Sequence, residues 1–205
     1  MAIQHKDIPD AQLHEAKGAA SASAGQLLTA TGSGTATFQT PAFTKAAMGW
    51  WDYNDTATTA TPIALTSAGV EYQLTNNGLG GNTNTTYRLP AVTNIWNTST
   101  NYFQFTGLKL GDTVDLRIDI EVTTGSVNNN IDLIMELGIG ASPYKLTLDR
   151  RLLKSSGANA YVVLASIYIG NTLTLNNPAR LLIKNDSTGS TCKVNGWFVR
   201  AITNG

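Results

Sequence analysis

Thr113 to Val122 reads TVDLRIDIEV. Successive side chains of an extended chain point to opposite faces. Val114, Leu116, Ile118, Ile120 and Val122 therefore share one side, and Asp115, Arg117, Asp119 and Glu121 share the other. Strict period-two alternation across this stretch predicts a strand with one buried and one wet face. The outward carboxylates have Arg117 among them, so they read as a solvated, salt-bridged surface rather than an acid/base pair.

The pattern continues outward from this strand. Ile131–Ile139 (IDLIMELGI) and Leu146–Leu153 (LTLDRRLL) alternate in the same way, with Pro143 marking the turn between them. Tyr161–Ile169 (YVVLASIYI) differs, because both of its faces are apolar. Tyr161, Val163, Ala165, Ile167 and Ile169 form one face, and Val162, Leu164 and Tyr168 lie on the other. A strand apolar on both sides needs a second cover, which a neighbouring subunit supplies most simply. Val162, Leu164 and Tyr168 are accordingly candidate interface residues. Arg180–Lys184 and Lys193–Ile202 close the chain as two strands around the turn Asn185–Thr191. In the last of these, Trp197, Val199 and Ala201 oppose Phe198, Arg200 and Ile202.

Upstream, Pro62–Thr66, Val70–Leu74, Tyr87–Val92 and Tyr102–Phe105 are further predicted strands, with Trp96 and Asn97 in a turn. Asn76–Thr86 (NNGLGGNTNTT) is too polar and Gly-rich for anything but a loop. Trp50 and Trp51 are adjacent, so one enters the core while the other meets a neighbouring chain or the arm; both are interface candidates. About eight to ten short strands predict an all-β chain, an antiparallel β-sandwich of the jelly-roll kind preceded by an extended N-terminal arm. The expected division is an arm over residues 1–39, a linker over 40–49 and a jelly-roll trimerisation domain over 50–205. Strand order stays open, because Greek-key and meander arrangements share these patterns.

Composition narrows the function. Charged residues are 14% of the 205, below the ~25% of ordinary soluble domains, and basic and acidic residues balance at 14 each. A nucleic-acid or anionic-membrane binder would carry a basic excess. Cys192 is the one cysteine, which leaves no intrachain disulfide and no Cys-based zinc site. No apolar run approaches ~18 residues, and no Lys/Arg-led apolar leader with a cleavage site opens the sequence. The chain is expected to be made and kept in a cytoplasm, or released from one by lysis.

Few residues have the pattern of a catalytic or metal centre. Asp52, Asn54 and Asp55 form an oxygen-rich turn that suits an Asx-turn better than a calcium loop. The Asn and Thr side chains of the loop Asn76–Thr86 could hydrogen-bond a sugar, although a plain solvated loop is the better reading; the loop lacks the Lys-Ser/Thr of a phosphate cradle. A two-carboxylate glycosidase needs no histidine, and Asp132 and Glu136 could share a strand face; a wet strand face carries such residues anyway, and no aromatic cradle sits beside them. Both histidines, His5 and His14, lie in the arm, too few for a metal site alone. The expectation is a chain without catalytic residues, metal or cofactor.

The arm, Met1–Gln39, is MAIQHKDIPDAQLHEAKGAASASAGQLLTATGSGTATFQ. Its Gly, Ala, Ser and Thr runs offer too little apolar surface to offset ordering entropy. One or two helical turns fit within Asp10–Ala24. Ile3, Ile8, Leu13, Leu27 and Leu28 punctuate it like anchors, with Pro9 holding Ile8 extended. The runs HKDIPDAQLHEAKG and AGQLLTATGSGTATFQ resemble the N-terminal arm of small tailed-phage virion proteins. These are head-decoration (head-fibre or cementing) proteins and some tail-fibre subunits. The resemblance covers about a fifth of the chain; beyond it the likeness is one of architecture, a Thr/Asn-rich β domain. It implies a homotrimer with a tumour-necrosis-factor-like jelly roll. It also implies an arm (Ile3, His5, Ile8, Pro9, Leu13, His14, Leu27, Leu28) that docks on the major capsid protein at the virion surface. The alternative it allows is a tail-fibre or tail-tip subunit whose jelly roll binds host glycans.

Overall fold

A computed structural model of the chain describes residues 22–32, 35–40, 47–54, 61–75, 81–84, 86–92 and 95–204. The chain divides into two units, Met1–Thr44 and Lys45–Gly205. In the first unit, β1 (Leu27–Gly32) pairs antiparallel with β2 (Thr35–Gln39), placing Leu28 opposite Phe38. The end of the arm is therefore a hairpin, where the sequence led us to expect an extended strip. Thr29, Thr35 and Thr37 supply the β-branched residues that favour it. The helical turns expected within Asp10–Ala24 fall almost wholly outside the described residues.

The second unit is an all-β sandwich. Its strands are β3 (Ala47–Asn54), β4 (Ile63–Leu65), β5 (Glu71–Gln73), β6 (Gly81–Asn84), β7 (Trp96–Asn97), β8 (Tyr102–Phe103), β9 (Thr113–Thr124), β10 (Asn129–Leu137), β11 (Tyr144–Leu153), β12 (Gly157–Tyr168), β13 (Arg180–Asn185) and β14 (Ser190–Thr203). One sheet runs β12-β9-β14-β3-β6, with β4 also on β14; the other runs β11-β10-β13-β5. The pairs β3·β14, β5·β13, β9·β12 and β10·β11 are all antiparallel and nest inside one another along the chain. Such nesting is a long two-stranded ribbon wrapped into two sheets, the jelly roll. The strand order that sequence patterns left open is thereby settled.

β9 behaves as its alternation requires. Its inward residues from Val114 to Val122 are buried and its charged residues face out. β14 forms the spine of its sheet, pairing with β9 along one side and with β3 and β4 along the other; a bulge between Val194 and Gly196 interrupts the β9 side. Between the sheets, Trp96 meets Trp197 edge-on at 4.3 Å, Tyr53 stacks on Trp197 at 5.0 Å, and Phe103 lies 4.7 Å from Trp96. Burying aromatic area of this size dominates core energetics, and each such contact adds ~0.5–1.5 kcal/mol beyond area alone.

Three local expectations need correction. Tyr87–Val92 forms turns, because Pro90 has no N–H to donate and Val92 N–H bonds back to Leu89 O at 3.0 Å. Trp96 and Asn97, expected in a turn, pair with Tyr102 and Phe103 as a small hairpin. Gly81–Asn84, expected in a loop, lies on the sheet edge beside β3. Among the described residues the helix is α1 (Thr172–Asn176), capped by Asn171, whose side-chain oxygen accepts from Thr174 N–H at 2.8 Å.

Candidate functional site

The two outer faces of the sandwich have opposite chemistry. On the four-stranded sheet, register aligns Arg150, Asp132, Lys184 and Glu71 in one row, and Lys145, Glu136 and Arg180 in a second. Asp132 accepts from Arg150 Nε at 2.7 Å and pairs with Lys184 Nζ at 2.9 Å. Glu136 accepts from Arg180 Nε at 2.6 Å, and Lys145 donates to Glu71 at 2.5 Å. The Arg150 hydrogen bond, followed by Lys184, holds the Asp132 carboxyl below its ordinary range against the opposing effect of burial. Ile134 and Leu182 sit buried among these long side chains, whose aliphatic stems cover apolar surface. These side chains cover Ile134 and Leu182 on the outer face, while Leu152 on the edge strand β11 stays 46% exposed. Asp132 and Glu136, weighed above as a carboxylate pair, are each engaged in ion pairs.

The six-stranded sheet leaves large apolar side chains exposed on its outer face. Val162, Leu164 and Tyr168 on β12 are 45%, 75% and 64% exposed. They stand on the outer face while Tyr161, Val163 and Ile167 point into the core, the division the sequence predicts. Across the sheet, Trp50 on β3 stacks on Tyr87 at 5.3 Å and 21°, and lies 5.5 Å from Phe198 of β14. Trp50 N–H donates to Tyr87 O at 3.2 Å, which fastens the segment around Tyr87 to the strand. Met48, two residues before Trp50 and so on the same face, is exposed as well.

Between these apolar flanks runs a column of closed ion pairs: Asp115 with Arg200 at 2.5 Å, Arg117 with Asp119 at 3.1 Å and Glu121 with Lys193 at 3.0 Å. Ser166 donates to Asp115 at 2.5 Å, and this bond, followed by Arg200, keeps the Asp115 carboxyl below its ordinary range. Leu164, Ser166, Phe198, Asp115, Arg117 and Arg200 line a depression of about 500 Å³.

Trp51 requires a correction. It is 2% exposed and belongs to the core of its own chain, so of the two tryptophans only Trp50 reaches the surface. Alternation along β3 forces that division. Leu27 and Leu28 of the arm are 54% and 49% exposed on the hairpin. Ile3, His5, Ile8, Pro9, Leu13 and His14 lie outside the described residues, as does Asp55. Among the described residues no group of three or more His, Cys, Asp and Glu side chains is placed to hold a metal ion. Cys192 is buried, and burial pushes its thiol up to about 12.

Sequence reasoning missed Tyr87 and Met48 as members of the exposed face. Tyr87 comes from a turn with no periodicity, whereas Phe198 was legible, because it alternates with Trp197.

No known protein family profile matches the sequence, and no curated protein matches it either. Among solved structures, a chain of infectious bursal disease virus (Gx strain) is similar at 7% identity and TM-score 0.42, covering 86% of this chain and 36% of that one. Eiger TNF from S. frugiperda is similar at 9% identity and TM-score 0.39, covering 78% of this chain and 93% of that one. The globular domain of zebrafish complement 1qA protein is similar at 11% identity and TM-score 0.35, covering 78% of this chain and 98% of that one. The chain thus spans little more than a third of the viral chain. The jelly-roll assignment rests on the strand pairing itself.

Proposed function

We propose that this chain is a structural, non-catalytic virion protein: a homotrimer that decorates the outside of a tailed-phage head and reinforces it. The arm binds the major capsid protein, and the jelly roll stands above the lattice. Assembly takes place in the host cytoplasm. The observation that carries this reading is the separation of the chain into an arm unit and a sandwich unit, with the decoration-protein resemblance confined to the arm. Three arms on one trimer raise the effective concentration of each next contact, so weak anchors sum to slow release. Reinforcement follows where one trimer bridges several capsid subunits.

A second reading, a tail-fibre or tail-tip subunit that binds host glycans, draws support from the exposed Tyr87 and the half-buried Trp50 and Phe198 beside Asp115 and Arg200. Apolar ring surface with convergent polar groups is the composition of small-ligand sites. Electron microscopy of virions labelled on this protein separates the two. Label over the head supports decoration, and label restricted to the tail tip replaces it with the fibre reading.

A further inference from the structure

β12 is an edge strand of a kind that proteins rarely leave open. It pairs with β9 along one side, spans 12 residues and reads GANAYVVLASIY, with no charge and no proline. Long, uncharged, regular edges are templates for association unless something covers them. The opposite sheet's long edge, β11, carries Lys145, Arg150 and Arg151, and its pairing with β10 is interrupted by a bulge. The remaining edges, β4, β5 and β6, are only 3, 3 and 4 residues long. Protection is thus missing at one edge, and it is the edge that also carries Val162, Leu164 and Tyr168.

Two apolar patches share this sheet face. One is the β12 ridge; the other is the aromatic stack of Trp50, Tyr87 and Phe198 with Met48. Three strand spacings separate β12 from β3, about 14 Å at ~4.8 Å each. A threefold ring cannot use one self-complementary patch, since its contacts are heterologous: each subunit offers one surface and receives another. Resting on the trimeric reading above, we infer that the β12 ridge of one copy seats against the Trp50–Tyr87–Phe198 patch of the next, closing a ring through two different halves of one sheet face.

The occupant is a second copy of this chain, and the reason lies in the charges. Every charge in the column between the patches is already paired within the chain. A neutral face meets its own copy without net repulsion and holds no excess charge for a charged partner. Four strands of about ten residues give a face of roughly 600 Å², which each copy divides between its two seams.

The test is complementation by mixing. Leu164→Asp breaks the ridge, and Met48→Asp with Tyr87→Asp breaks the aromatic half; all three residues are exposed, and near-ultraviolet circular dichroism of the tryptophan core checks folding. Val162→Lys serves as a second ridge variant should Leu164→Asp misfold. In analytical ultracentrifugation the wild type is expected at three chain masses and each variant at one. An equimolar mixture of ridge and aromatic variants should give a species of two chain masses, because one intact seam remains between them. A trimeric wild type whose variants stay trimeric, or whose mixture stays monomeric, overturns the seam while leaving the trimer standing. A monomeric wild type overturns the trimer and the seam together. If such a monomer's tryptophan fluorescence shifts on titration with a bacterial polysaccharide, the face belongs to a glycan.

Discussion

Asp132 shows how one buried carboxylate organises a surface. Arg150 and Lys184 converge on it from the strands on either side, and its carboxyl is held below the ordinary 3.8, as is that of Asp115. A carboxyl depressed in the folded state contributes stability that is complete at neutral pH. That contribution is lost as pH falls below about 4 through the depressed value. Urea midpoints measured from pH 7 down to pH 2 should therefore fall on the acid side. Asp132→Asn should cost about 1–3 kcal/mol at pH 7 and flatten that acid limb. An unchanged midpoint at pH 7 would mean that the ion pairs are cosmetic. Asp132 was legible in the sequence as an outward residue of an alternating strand. Its burial was not, because the cover comes from Arg150 and Lys184, which only cross-strand register brings together.

At the scale of elements, local pattern and long-range pairing divide what a sequence reveals. β9 and β10 announce themselves by alternation and β12 by a run apolar on both faces, and the two faces of β12 fall as predicted. Strand order did not, since Ala47 pairs with Thr203 across almost the whole domain, and no local signal reports such a contact. Tyr87–Val92 had strand composition but carried Pro90, and the proline prevailed. Turns set by close backbone approach were equally silent. Gly107 adopts φ +97°, and an added Cβ there would collide with the backbone of Ala91. Gly107→Ala should destabilise by about 1–3 kcal/mol in chemical denaturation; a neutral effect would mean that the Ala91 segment yields freely. The β1–β2 hairpin presents Leu27 and Leu28 to solvent. An isolated two-stranded hairpin is marginal in water at best, so a peptide of residues 22–40 should show random-coil chemical shifts alone and strand shifts once bound to its target.

The whole molecule divides into two units, a sandwich with its own core and an arm whose sequence offers little apolar surface. Folding is expected to need no metal, so a strong chelator should leave the melting temperature unchanged; a drop of many degrees would instead assign a cation to Asp52 and Asn54, which lie at the end of strand β3 and not in the turn the sequence led us to expect. The arm holds the capsid in this account, and the most direct measurement is co-sedimentation with purified, undecorated heads. Intact protein should pellet with the heads, while protein lacking Met1–Gln39 should remain a folded β trimer in the supernatant. Ile8→Ser with Leu13→Ser should weaken binding in the same direction, since each lost anchor costs about 1.5–3 kcal/mol if fully buried and threefold attachment multiplies the loss. Arm-deleted protein that binds heads as tightly as the intact chain would contradict the account and move docking to the jelly roll.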